Sequence, residues 1–386
     1  MQPANRLDRM PPYVFAALGA RLRALQAQGL DVIRLDIGSP DMPPPDFIIE
    51  AMYQSAKNPK HHGYAGYTGI PELRQAIAEY YKRRFDVDLD PNTEVLPLIG
   101  SKEGIANLAL AWIDSGDLAL IPDPGYPTYQ MGTLMAGGTT FTMPLLAEHD
   151  FLPDLEAIPA KVADQARLMW LNYPNNPTGA TATTEFFEQV VDFAHKWNIL
   201  VCHDAPYTEV CYDGYRAPSL LSVPGAKTVA VEFNSLSKAY NMAGWRIGMA
   251  VGNAIAIKAL LQIKSNIDSG IFRPLQDAAV MALTGDQSWL QERNAIYQER
   301  RDVILAALAE RGIKARRPKA SLYIWAEVPT GYTSAEFASK LLETTGVSIT
   351  PGSAFGSAGE GYLRISMGQD TAKIKEAMQR LKVFQF

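Results

Sequence analysis

Between residues 93 and 252 the chain repeats one pattern, a short and nearly continuous apolar run followed by a longer amphipathic stretch. The runs are TEVLPLI (93–99), DLALIP (117–122), RLMWLNY (167–173), ILVCHDA (199–205), TVAVEF (228–233) and RIGMAVG (246–252). A strand with apolar residues at successive positions has no polar face to give to water, so it must be covered on both sides. Helices over 102–112, 183–197 and 253–265 supply that cover, and the pattern predicts an α/β fold with a mainly parallel sheet between helices. The flanks differ. Helices at 71–85 and 287–311 lead into a mixed tail, with SLYIWAEV and YLRISM as strands and TSAEFASKLLETT and TAKIKEAMQRLKVF as helices. Thr333 and Glu336 fit a capping box that starts the first of these helices. Pro43, Pro44 and Pro45, and the Pro122, Pro124 and Pro127 group, are expected in loops. The organisation predicted is an N-terminal arm (1–13), a large domain (46–279) and a smaller α+β domain built from 14–45 and 280–386.

Composition narrows the function. The 36 Lys and Arg against 41 Asp and Glu leave a formal charge of −5, which gives no footprint for nucleic acid. Two cysteines, Cys202 and Cys211, are too few for a disulfide framework or a thiolate metal cage and fit a reducing compartment. No apolar run approaches the roughly 18 to 20 residues that span a bilayer, and MQPANRLDRMPPYVF lacks the apolar core of a signal peptide. A cytoplasmic protein without membrane or nucleic-acid partners is expected. His61, His62, His149, His195 and His203 show no metal-ligand spacing, so no metal is expected; His203 stands out only because it adjoins Asp204.

The segment SLSKAYNMAGWRIG (235–248) carries the strongest chemical signal. A lysine forms an imine with an aldehyde, small neighbours admit a ligand to the backbone, and an arginine grips a phosphate with two prongs. Lys238 and Arg246 in one segment therefore describe a site for an aldehyde that carries a phosphate; a solvated loop lysine is the plain alternative. Asp204 closes a buried apolar strand, where open α/β sheets bind ligands, and a buried carboxylate wants a cationic partner such as a protonated pyridine nitrogen. Tyr207 follows three residues on. NYPNNPTG offers Asn176 in a turn after another strand. GSKEG is a strand-to-helix junction whose amides and Ser101 hydroxyl suit an anion, although an ordinary N-cap explains Ser101 as well. In PDPGYPTY, Tyr126 can stack on a flat heterocycle or pack in the core.

Taken with YAGYTGIPELRQAI, GSKEGIANL, HDAPYTEV and YLRIS, these segments resemble the class I and II aminotransferases, fold-type I pyridoxal-phosphate enzymes, over nearly the whole chain. The resemblance implies pyridoxal 5'-phosphate as cofactor and Lys238 as the lysine that binds it and later moves the substrate proton. It implies Asp204 on the pyridine nitrogen, and Tyr207 and Asn176 on the phenolic oxygen. Arg246, Ser235 and Ser237 would hold the phosphate with Ser101 and Lys102, and Tyr126 would stack on the ring. Arg364 would receive the substrate α-carboxylate beside Gly38 and Asn176. Tyr64 matches a residue that reaches the neighbouring subunit's phosphate, which implies a homodimer with shared active sites.

Within that family, LIGSKEGIANLALAW, PDPGYPTYQMGTLMAGG, SNIDSGIF and PGSAFGSAGEGYLRIS resemble the LL-diaminopimelate aminotransferase group. That similarity implies LL-diaminopimelate as amino donor and 2-oxoglutarate as acceptor, in lysine biosynthesis. Groups acting on alanine, aspartate or aromatic amino acids share many of these motifs, and β-lyases share the scaffold. Lys264 and Arg273 could meet a distal carboxylate, but surface positions are expected for both.

Overall fold

The computed structural model describes residues 2–10 and 14–386, so Met1 and residues 11–13 of the expected arm lie outside the described residues. A short strand, β1 (Ile33–Arg34), precedes the large sheet. Its seven strands are β2 (Val95–Leu98), β3 (Leu118–Asp123), β4 (Thr139–Pro144), β5 (Ala166–Asn172), β6 (Leu200–Asp204), β7 (Ala230–Ser235) and β8 (Gly248–Gly252), in the spatial order β2-β8-β7-β6-β5-β3-β4. The five strands from β4 to β7 in that order run parallel, and β8 is antiparallel to both β7 and β2.

The apolar runs are buried on both faces, as their composition requires. On one face Trp170, Cys202 and Phe233 pack with Leu108, Tyr129 and Leu260 from helices Ser101–Trp112, Thr128–Met135 and Ala254–Lys264. On the other, Leu171 and Val201 pack with Tyr81 and Phe187 from helices Pro71–Phe85 and Thr184–Trp197. Successive residues of β5 and β6 thus serve opposite layers, as the pleat dictates.

The structure departs from the expected elements at several points. Strand β4 was not foreseen: at the sheet edge it buries only Met143 among TTFTMP, so it has no continuous apolar run. Pro122 lies inside β3 rather than in a loop. It is tolerated because pairing with β5 ends at Leu120 and Met169, leaving Pro122 a ladder partner only on the β4 side. Helices Val14–Ala27, Asp46–Ala56, Thr128–Met135 and Arg273–Thr284 are further elements that the apolar pattern does not mark; Asp46–Ala56 starts directly after Pro45 and Arg273–Thr284 carries proline in its first turn.

The tail forms a second layer. Strands β9 (Tyr323–Glu327), β11 (Thr350–Pro351) and β12 (Tyr362–Ser366) make an antiparallel sheet in the order β11-β12-β9, while β10 (Val347–Ser348) pairs in parallel with β1. Ile324, Ile365, Phe337, Leu341 and Met378 form its core, and Tyr207 and Val210 from the segment after β6 pack into it. The capping box forms between Thr333 and Glu336 at the start of helix Ser334–Thr345. Among the described residues no helix is long and apolar enough to cross a membrane, and no group of three or more His, Cys, Asp and Glu could hold a metal ion.

Candidate active site

The carboxyl ends of β5, β6 and β7 bring Asn172, Asp204 and Ser235 to one edge of the sheet, where ligands of open α/β folds sit. A cavity of about 340 Å³ opens there. It is lined by Gly38, Ser101, Lys102, Tyr126, Asn176, Asp204, Tyr207, Ser235, Ser237, Lys238, Arg246 and Arg364, so residues far apart in the sequence converge on one space. Tyr64 does not line it and is 91% exposed.

At one end the backbone forms an anion cup. Gly100, at φ 76°, is the N-cap of helix Ser101–Trp112, and a Cβ there would lie 2.1 Å from Arg246 Nη2. Only glycine allows both that conformation and that approach. Ser101 is therefore the first helical residue rather than the N-cap, so its amide and hydroxyl remain at the helix start. Arg246 Nη1 donates to the Ala243 carbonyl at 2.8 Å and to Ser237 Oγ at 3.3 Å. The Ser237 amide donates to Ser235 Oγ at 3.2 Å. Burial, then the charge of Arg246, lowers the Lys102 ammonium.

In the middle, Asp204 Oδ2 accepts from the Tyr129 hydroxyl at 2.8 Å, while buried Oδ1 has no hydrogen-bond partner. Burial pushes this carboxyl up to about 6, against the opposing pull of the Tyr129 hydrogen bond and the neighbouring His203. Asn172 Nδ2 donates to the Asp204 carbonyl at 2.6 Å and its Oδ1 accepts from the Asn176 amide at 2.7 Å. One side chain thereby sets the positions of two site residues. The Tyr207 and Tyr323 hydroxyls lie 2.8 Å apart, and burial followed by that neighbour pushes the Tyr207 phenol well above its ordinary value.

Lys238 Nζ donates to the Gly38 carbonyl. Loss of water, then the positive charges of Arg246 and Arg364, bring its ammonium down to about 8. At the far end Arg364 Nη1 donates to Asn176 Oδ1 at 2.8 Å and Nη2 to the Asp36 carbonyl at 2.7 Å. Its guanidinium lies over the rings of Tyr323 and Phe355 at 4.4 and 4.6 Å.

The family described as aminotransferase class I and II matches residues 30–381. The chain belongs to the class I and II aminotransferases. It is 52% identical to an LL-diaminopimelate aminotransferase from Moorella thermoacetica over 382 residues, covering 99% of this chain and 98% of the relative. It is also 52% identical to an LL-diaminopimelate aminotransferase from Desulforudis audaxviator over 379 residues, covering 98% and 97%. Among solved structures, substrate-bound BacF from Bacillus subtilis superimposes with a TM-score of 0.95 at 38% identity, covering 99% of this chain and 97% of that one.

Aminotransferases of this fold depend on pyridoxal phosphate, and the residues here fit that group. The orphaned Asp204 Oδ1 is an acceptor awaiting a donor, as a protonated ring nitrogen supplies. The space beside Gly100 belongs to Arg246, and a Cβ on Gly248 would lie 2.7 Å from the Ser101 amide, so the cup keeps its amides clear for a phosphate.

Three contributors to this aminotransferase site escaped the sequence reading. Tyr129, stacked on Trp170 at 5.1 Å and 11°, sits three residues beyond Tyr126, and that helical spacing was its signal. Asn172 opens the NYPNNPTG motif. Tyr323 comes from the tail, and its local sequence carries no signal. The expectation of a surface Lys264 is corrected: it is fully buried, 2.6 Å from Asp268 and 3.4 Å from Glu103. Arg273 is half-buried and pairs with Asp277 at 2.9 Å; neither residue lines the cavity.

Proposed function

We propose that this aminotransferase moves the α-amino group of LL-diaminopimelate to 2-oxoglutarate, in the cytoplasm and on the path to lysine. The observation that carries the substrate is the 52% identity to enzymes named for it, over nearly the full length of both chains. What supports the chemistry is the order of groups along the cavity: a cup of donors, a buried carboxylate with one open acceptor, an amine held near neutrality, and a second arginine.

In this reading Arg246, Ser235, Ser237, Ser101 and Lys102 hold the phosphate, and Tyr126 covers the ring. Asp204 keeps the ring nitrogen protonated, while Tyr207 and Asn176 bond the phenolic oxygen. Pyridoxal phosphate, when bound, supplies the electron sink for the charge left by the departing α-proton. Lys238 takes that proton as a base and returns it on the other side of the exchange; burial, which keeps the amine below its ordinary value, suits it to both tasks. Arg364 grips the α-carboxylate with two prongs and so aims the α-carbon at Lys238, with the Gly38 backbone beside it. The exposure of Tyr64 outside its own cavity supports a homodimer in which that hydroxyl serves the partner's phosphate.

The test is to add single amino acids to the holoenzyme and follow the cofactor's absorbance as its aldehyde form becomes the amine form. Conversion by LL-diaminopimelate and glutamate, reversed by 2-oxoglutarate, is expected. Conversion by alanine, aspartate or aromatic donors alone removes the substrate assignment, and pyruvate with ammonia in place of the amine form makes the protein a β-lyase.

A further inference from the structure

Behind the sheet, on the face away from Asp204, a polar cluster is sealed from water. His203 and Glu232 are cross-strand partners on β6 and β7, and both are fully buried. His203 Nδ1 lies 2.9 Å from Glu232 Oε2 and Nε2 lies 3.0 Å from the Tyr173 carbonyl. A carbonyl oxygen only accepts, so Nε2 donates. Glu232 receives the Tyr81 hydroxyl at 2.9 Å, the Ser219 hydroxyl at 3.0 Å and the Leu220 amide at 3.1 Å. Three donors converging on one carboxyl group select its ionised form, so Nδ1 donates as well. A histidine with both ring nitrogens donating is an imidazolium. Phe187 of helix Thr184–Trp197, an uncharged neighbour, meets the ring edge-on at 5.0 Å.

Asp204 is the next residue of β6 and faces the opposite layer, where Tyr129 and Tyr207 approach it. The imidazolium is one residue away along the strand, and Glu232 is one strand further. The positive member of the pair is thus the nearer one along the strand, and its attraction opposes the desolvation of the Asp204 carboxylate.

We propose that His203 and Glu232 form a buried imidazolium–carboxylate pair that keeps Asp204 ionised beneath the cofactor ring. His203 is then a positioning residue that acts through Asp204 and touches neither cofactor nor substrate. The inference rests on the reading of Asp204 as the partner of the ring nitrogen.

The test uses the holoenzyme, labelled with nitrogen-15 in histidine or in the ring of pyridoxal phosphate, at neutral pH. Both His203 nitrogens are expected to resonate as N–H, and the ring nitrogen as protonated. In His203→Asn the ring-nitrogen signal is expected to move toward its unprotonated position, with kcat about tenfold lower for each pH unit by which the Asp204 midpoint comes to lie above the pH of the assay and the amino-donor KM little changed. Glu232→Gln, which keeps the shape of the cluster, gives the same direction and serves if His203→Asn does not fold. An unprotonated His203 nitrogen in the wild-type holoenzyme overturns the proposal without any variant, as does an unmoved ring-nitrogen signal in either variant. Asp204→Asn separates the two readings: if that variant also leaves the signal unmoved, the role of Asp204 fails first.

Discussion

Replacing Asp204 with Asn isolates the energetic tension at the centre of the site. In the cofactor-free protein burial raises this carboxyl from 3.8 to about 6, a change worth about 3 kcal/mol. The sign follows from proton uptake. Between those two values the folded chain still holds a proton that the unfolded chain has released, so stability falls as pH rises through that window and stays reduced above about 6. Asn keeps the hydrogen bond from Tyr129 but carries no titrating proton. Its amide meets the site of the orphaned Oδ1 and costs about 1 to 3 kcal/mol at every pH alike, so that cost drops out of the pH dependence. The expected result is a stability difference between wild type and Asp204→Asn, both free of cofactor, that shifts in favour of the variant by about 3 kcal/mol from acid to neutral pH, roughly half of it between pH 5 and pH 8. Urea denaturation across that range measures it. Saturating pyridoxal phosphate should reverse the trend, because its ring nitrogen gives the wild-type carboxylate a cationic partner. Parallel pH profiles for the two cofactor-free proteins would refute the reasoning, since Asp204 would then titrate identically in both the folded and unfolded chain.

Lys238→Ala is expected to abolish turnover while pyridoxal phosphate stays bound without a covalent link, seen as cofactor that leaves on denaturation even after borohydride treatment, which fixes it to the wild type; measurable activity would remove the lysine from the mechanism. In the cofactor-free wild type, the rate of covalent loading should rise about tenfold per pH unit and level off near 8 rather than near 10.5, because only the neutral amine attacks. Gly100→Ala should weaken cofactor binding by at least about tenfold, the equivalent of about 1.4 kcal/mol, because its Cβ displaces Arg246. Pyridoxal lacking the phosphate should bind wild type and this variant alike, and an equal loss for both compounds would place the defect elsewhere.

What the sequence disclosed depended on whether a residue's task is local. The β5, β6 and β7 runs were legible because burial on both faces leaves its mark on every residue of a strand. Strand β4 left none, since an edge strand with one buried residue looks like a polar loop. Lys238, Arg246, Asp204 and Asn176 stand in short motifs at strand ends, where chemistry dictates residue type. Asn172 acts by holding Asp204 and Asn176, and Tyr323 by holding Tyr207, and what they hold is set by packing between segments that a local pattern does not pair. Lys264 failed for the same reason: its partners Glu103 and Asp268 come from a distant helix and the next turn of chain, and together they allow a charge to be buried that alone would stay in water.

The polarity of the cavity joins these observations. The chain as a whole is acidic, at −5, yet the cavity is lined by Arg34, Lys102, Lys238, Arg246 and Arg364 against Asp36 and Asp204. Arg34 and Asp36 neutralise each other through two hydrogen bonds of 2.7 and 2.6 Å, which leaves the excess of positive charge around Lys238. That excess is part of what holds the lysine near 8, through Arg246 on one side and Arg364 on the other. On the proposed reading a phosphate on Arg246 and a carboxylate on Arg364 would each cancel one of those charges, which would make the lysine a stronger base as its ligands arrive. The two arginines therefore do more than bind anions. On the proposed reading they would couple occupancy of both ends of the cavity to the proton affinity of the group between them, so that Lys238 would be most basic with cofactor phosphate and substrate carboxylate both in place.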